Sequence, residues 1–314
     1  MRTSTLYKKA YSFFNDPVSP APLAIFRILI AAFTLLQAIL WYNDWLAFMG
    51  ADGWIQWEIS EILISDLTLH MAKVYKFFSF LPVTQDEFVM GFFWVYVISA
   101  FLLLIGLFTK VFSFLTFLCH YILMCTIEVY VYGVDIFLQI ALFYIMLMPV
   151  ARMYSLDAWW KRVPTTPSWE VTLSLRVLQI HMGLIYLSAG FEKLISPEWW
   201  GGNVIWRSLV QPDFRQYDFT WLADESWLFI TLSWFTIIIE TGYIIFIWIP
   251  KVRVFWLAAI IALHVGICVF LGLWLFGLIM ILLSVSAFGT DAWKDIQSFT
   301  RNRQRKINIQ YSPA

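Results

Sequence analysis

The stretch 176-RVLQIHMGLIYLSAGFEKLISPEWWGG-202 decides how this chain is read. From Val177 to Phe191 it carries no Asp, Glu, Lys or Arg. A helix of about 20 such residues, rising 1.5 Å each, crosses the hydrocarbon of a membrane. The stretch then turns polar at Glu192 and Lys193 and leaves through Trp199, Trp200, Gly201 and Gly202. A charged amine at the centre of such a helix costs ~2.5–3.5 kcal/mol, and less near the end. Low dielectric disfavours the ammonium form, so Lys193 is expected to release its proton readily and to be a candidate base near neutral pH. The competing reading is a lysine that snorkels, fully charged, to the interface.

The rest of the chain has the same character. It is 61% hydrophobic and 19% aromatic, only 13% of its residues are charged, and its mean hydropathy is +0.73. Soluble domains have roughly 25% charged residues, and no polar stretch here approaches the ~50 residues of a small domain. The fold class is therefore all-α: a polytopic membrane helix bundle, one domain over 1–314. Net charge is zero, which gives no reason to expect nucleic acid as a partner. Cys119, Cys125 and Cys268 lie in apolar runs without a CxxC pair, and no HExxH or HxxxH occurs. Neither a zinc site nor a thiol redox site is indicated, and no metal is expected.

About eight spans can be drawn, at 23–42, 88–108, 111–130, 133–150, 171–191, 228–249, 254–271 and 273–289. Pro17, Pro20 and Pro22 mark the entry to the first, since proline suits a first helical turn. The pairs 111–150 and 254–289 form tight hairpins turning near Gly133 and Gly272. With the N-terminus inside, fourteen Lys and Arg fall in inner segments and five in outer ones, with Arg27 and Arg176 inside spans. The positive-inside rule expects this asymmetry, and an even span number puts both termini in the cytoplasm. The long segments 43–87 and 192–227 then lie outside. Their short apolar pieces, such as 54-WIQWEISEILI-64, are too short to cross and read as interfacial or re-entrant helices, with a lid over the outer end or an aromatic belt as their role.

Gln179, Tyr186 and Lys193 are seven apart, so they share one helix face, and Gly183 and Gly190 lie near that stripe. It suits either a flat aromatic ligand bound through Gln179 and Tyr186, or a packed neighbouring helix. His264, mid-span, is the second catalytic candidate. Arg27, Arg176, Glu128, Asp135 and Glu240 are charges inside or at the ends of spans, where such groups pair in the bundle interior.

Tyr186-Leu187-Ser188-Ala189-Gly190-Phe191-Glu192-Lys193-Leu194, with Gln179, Ile180, Trp199, Gly201 and Gly202, resembles the HTTM family of membrane proteins, and within it the vitamin K-dependent gamma-glutamyl carboxylases. The stretch around His264, LHVGICVFLGLWLFGLIMI, and 128-EVYVYGVDIFLQI-140 are similar to two further stretches of that family. The resemblance implies a quinone-linked integral membrane enzyme, a lyase carrying out gamma-carboxylation. Lys193 would be the base that deprotonates reduced vitamin K or another quinol. His264 would be the second catalytic residue, with Gln179, Tyr186, Gly190 and Trp199 at the ligand. Membrane lipid, a quinone and a secreted peptide are the implied partners. A second implication is a non-enzymatic HTTM protein that assists maturation or export of a secreted peptide, like the one in the bacterial sporulation-delay toxin system. Glu128 stands where the carboxylases have a histidine. Only a short basic tail follows the last span, so their large luminal domain is expected to be absent.

Overall fold

The computed structural model describes residues 2–310 except 55, 64, 66 and 164, and the side chains of these except 2–4, 60, 63 and 302–310. Every regular element among the described residues is helical. Eight long helices carry the fold: α1 (Ala21–Trp41), α2 (Gln85–Ile105), α3 (Thr109–Thr126), α4 (Gly133–Leu147), α5 (Trp169–Leu194), α6 (Ser226–Phe246), α7 (Pro250–Leu271) and α8 (Trp274–Gln310). Seven of them are long and apolar enough to cross a membrane, α1 together with the short helices that extend it to Met49, and α8 as far as Arg301. The chain is an all-helical, multi-pass membrane protein.

The span expected at 133–150 is the exception. Its helix, Gly133–Leu147, has 15 residues, which at 1.5 Å each rise only about 22 Å against ~30 Å of hydrocarbon. The shortfall is local. Residues 127–132 form an irregular link containing one 3-10 turn, Glu128–Tyr130. At the other end, Lys110 Nζ donates to the carbonyl of Met146 at 3.2 Å, so α4 returns to the level at which α3 began.

The chain divides into two compact units, 1–174 and 175–314. In the first, α1 to α4 pack around an apolar interior. Thr84 and Glu87 form a reciprocal capping box that starts α2. Gly106 ends it at φ +70°, a left-handed conformation that glycine adopts without a Cβ penalty. A Cβ there would sit 2.2 Å from Nη1 of Arg27, so the glycine also makes room for a buried guanidinium. Segment 43–87 folds into short helices, Trp45–Met49, Trp57–Leu63 and Met71–Phe77, none long enough to cross. Hydrogen bonds pin them to the bundle end and to each other. Trp45 Nε1 donates to Val89 O at 3.0 Å, Trp57 Nε1 to Met49 O at 3.0 Å, and the Met71 amide to Thr126 Oγ1 at 3.0 Å. Both indoles and Met71 are buried with Val89, Phe93 and Tyr96.

The second unit contains the remainder of α5 with α6, α7 and α8. Proline stands in the first turn of α7, and Gly272, at φ +72°, reverses the chain into α8, as its place in the sequence predicts. Segment 192–227 forms the short helices Pro197–Trp200 and Asn203–Val210. They lie against α6, where Trp206 packs on Phe229 with ring centroids 5.1 Å apart.

Candidate functional site

Lys193 is in the last turn of α5, and it is not a lone amine. Its Nζ lies 2.7 Å from Oε2 of Glu240 on α6, with side chains 19% and 7% exposed respectively. It also donates to the carbonyl of Ala189 at 3.3 Å and stands over the Trp199 ring, 5.1 Å from its centroid. Gly190 is the local cause of the pair. A Cβ on Gly190 would meet the Thr241 amide nitrogen at 2.6 Å. Only a glycine lets α6 approach α5 closely enough to bring Glu240 under the amine. Gly183 repeats the arrangement two turns earlier, where its Cβ would meet Ile244 at 3.2 Å. The small-residue stripe of α5 thus seats a helix at both glycines, which takes the face that a flat ligand lying along α5 would need.

Farther along α5, the fully enclosed Tyr186 hydroxyl lies 3.0 Å from Nε2 of His264 on α7 and 3.0 Å from Ser284 Oγ on α8. A phenol has one proton to donate, so it can donate to only one of the two and must accept from the other. The Tyr243 ring lies 4.5 Å from that of Tyr186. His264 Nδ1 and the Tyr243 hydroxyl are buried and make no hydrogen bond with the described residues. Lys193 and Tyr186 are seven residues apart, about 10 Å along the helix axis. They are two stations on one helix.

Gln179 belongs elsewhere. It is fourteen residues before Lys193, about 21 Å along the axis. Its Nε2 donates to Ala287 O at 2.7 Å and to Asp291 at 3.3 Å, and its Oε1 accepts from Arg176 at 2.6 Å. It ties α5 to α8 and to its neighbouring arginine. Its polar groups serve the structure there, so it does not line the Lys193 centre. Glu240 was named from sequence as a buried anion, but its partner was not legible. Ser284 and Tyr243 carried no signal, being one serine and one tyrosine in long apolar runs. Glu128 is exposed in its 3-10 turn.

The first unit holds a second buried polar group, on four helices. Gln37 (α1) donates to Asp135 (α4) at 2.8 Å. His120 (α3) Nδ1 lies 2.6 Å from Gln139 Oε1 (α4). An amide oxygen only accepts, so Nδ1 carries the proton. The Tyr96 ring (α2) lies 6.3 Å from that of His120. Gln37 Oε1, the Tyr96 hydroxyl, His120 Nε2 and Gln139 Nε2 make no hydrogen bond with the described residues. Among the described residues no set of His, Cys, Asp and Glu is arranged to hold a metal ion, and all three cysteines are free thiols.

Eight long apolar helices, an ion pair at one end of α5 and hydrogen-bonded polar side chains between the helices define a polytopic membrane protein with a polar interior. The HTTM domain matches residues 15–293, and the chain belongs to that family. Comparison with curated proteins and with solved structures finds no match.

Proposed function

We propose that the protein is a quinol-linked membrane enzyme whose proton-accepting centre is Lys193 with Glu240, at the outer membrane face. The observation that carries this reading is the 2.7 Å contact between the two. A lysine alone in hydrocarbon must choose between charge and solvation. A lysine beside a carboxylate has a partner in either protonation state, because both N–H···O and N···H–O arrangements are hydrogen bonds. Such a pair can take a proton from a weakly acidic hydroxyl placed against it and hold it away from water.

The residues fit a hydroxylated aromatic ring. The indole of Trp199, already beside the amine, offers a face for stacking. The unpartnered Nδ1 of His264 offers a further polar contact deeper in the unit. When bound, a quinol supplies an ionisable phenolic hydroxyl and two electrons. Lys193 and Glu240 accept the proton, Trp199 orients the ring, and Tyr186, His264 and Ser284 form a separate hydrogen-bonded group deeper in the same unit. The short helices of 192–227 limit water at Lys193, which is why its side chain is only 19% exposed at a helix end. A secreted peptide, the partner that the family resemblance implies, would meet the protein at this same face.

Both termini belong in the cytoplasm on this reading. The return of α4 to the level of Lys110 supports reading residues 127–147 together as an eighth crossing, and the basic residues favour the same side. A cysteine at Asp218 should react with a membrane-impermeant thiol reagent in intact cells. Reaction only after permeabilisation would invert the map. The functional test is mass spectrometry of lipids extracted from the purified protein. A quinone retained in proportion to protein is expected, and phospholipid alone would remove the quinol from the reading.

A further inference from the structure

At the end of the first unit opposite its aromatic cap, a cavity of about 230 Å³ opens between the start of α3, the end of α4 and the loop that follows. Its floor is apolar, with Ile145, Met148 and Val150, and its rim carries three cations, Lys110, Arg152 and Lys161. The one acid lining it, Asp157, is already engaged. It accepts from the amides of Phe108 at 3.0 Å and Thr109 at 2.7 Å, closing the N-terminal end of α3, and Lys161 stands 3.8 Å away. Arg152 is tied to Glu170 and Ser168. Lys110 Nζ is held by the Met146 carbonyl and Lys161 by Asp157, but an ammonium has three donors, so both can still meet an anion over the small apolar hollow.

Depth identifies the surroundings. The short helix Leu156–Lys161 beside the cavity presents Trp159 and Trp160, 81% and 69% exposed, with Phe108 and Tyr154 exposed near them. Exposed tryptophans and tyrosines on a membrane protein settle at the boundary between head groups and hydrocarbon. A cavity at that depth, with an apolar floor and a cationic rim, matches an amphiphile that is anionic at the head and apolar behind it.

We infer that this cavity is a head-group site for an anionic phospholipid, with the phosphate between Lys110 and Lys161 and the glycerol end against Met148 and Val150. The inference is independent of the quinol reading, since it rests on different residues in the other unit. Free phosphate shares the charge but has nothing to place on the apolar floor, so the lipid is the favoured source.

The test uses the full chain in nanodiscs of phosphatidylcholine, with and without phosphatidylglycerol, reading retained lipid by native mass spectrometry and the melting temperature. Wild-type protein should retain phosphatidylglycerol in preference to phosphatidylcholine and melt higher in its presence. Lys110→Gln and Lys161→Gln should each weaken that retention about fivefold, the effect of one lysine near an anionic surface, with each variant's lipid-dependent melting shift read against its own melting temperature in pure phosphatidylcholine. Lys251→Gln, an exposed basic position in the other unit, should change nothing. Equal retention of both lipids would overturn the inference, as would an equal loss in Lys251→Gln. So would a melting shift produced by inorganic phosphate alone in phosphatidylcholine discs, which would assign the rim to a free anion.

Discussion

In the first unit the buried charges are held mainly by neutral groups, with Lys161 3.8 Å from Asp157 as the one cation beside them. Arg27 donates to the carbonyl of Tyr154, Asp157 accepts from two backbone amides, and Asp135 takes the amide of Gln37. In the second unit the most enclosed charges hold each other, Lys193 with Glu240 at 2.7 Å and Arg253 with Asp295 at 2.6 Å. The difference separates structure from chemistry. A charge tied to backbone fixes a loop or a helix end and cannot exchange its partner without local unfolding. A side-chain ion pair can pass a proton between its members, and of the two pairs only Lys193–Glu240 can do so readily, because arginine stays protonated. The two tyrosine–histidine pairs differ in the same sense. Tyr186 is hydrogen-bonded to His264 and Ser284, whereas the Tyr96 hydroxyl, beside His120, has no partner among the described residues.

The sharpest way to break this contrast is to remove one member of the ionic pair. Lys193→Met should destabilise the protein by about 3–5 kcal/mol, because it strands Glu240 in a low dielectric. Lys193→Met with Glu240→Leu should recover most of that loss. Thermal unfolding of the four members of this cycle checks it, and additive losses would mean the two residues are not coupled.

Asp157 in the first unit should show the next largest effect. Burial opposes its ionisation, yet hydrogen bonds from Thr109 and Phe108, with the charge of Lys161, hold its carboxyl below the usual carboxylate range. The folded state therefore binds that proton less readily than the unfolded chain. The stabilisation is complete at neutral pH and is lost as pH falls through the acid range to that lowered value. Asp157→Asn should cost about 2 kcal/mol at neutral pH, the value of hydrogen bonds to a charged group. It should also flatten the acid limb of a stability–pH curve; an unchanged acid limb would remove Asp157 from the account.

The smallest effect compares the two tyrosines directly. Tyr186→Phe leaves His264 and Ser284 without a partner and should cost about 1–3 kcal/mol. Tyr96→Phe removes a hydroxyl that none of the described residues binds, and its melting temperature should move little. Equal losses would show that the two buried polar groups are built alike.

How much of this was legible depended on whether the signal was local. The membrane class, the helices and their proline and glycine boundaries follow from runs of apolar residues and from single punctuating positions such as Pro22 and Gly272. The shortness of α4 was not legible, because 127–132 is as apolar as a helix and leaves the helical path only where the 3-10 turn forms. Lys193 stood out as a cation closing an apolar run, and Tyr186 and His264 were each visible as polar groups in hydrocarbon. Their hydrogen bond joins residues 78 positions apart, which no periodicity encodes. The heptad of Gln179, Tyr186 and Lys193 placed them on one face correctly, yet a face about 21 Å long serves several neighbours. Gln179 answers to α8, while the Lys193 turn answers to α6. Gly190 read equally well as a ligand slot or a helix seat, and only the position of Thr241 decides between them.

The most direct measurement of the central claim is oxygen uptake by purified protein in nanodiscs supplied with reduced vitamin K, wild type against Lys193→Arg. Arginine keeps the charge beside Glu240 but cannot act as a base, so the variant should melt close to wild type. The account predicts quinol-dependent uptake by the wild type and its loss in the variant. Equal uptake by both would take the proton-accepting role away from Lys193 and contradict the proposed centre.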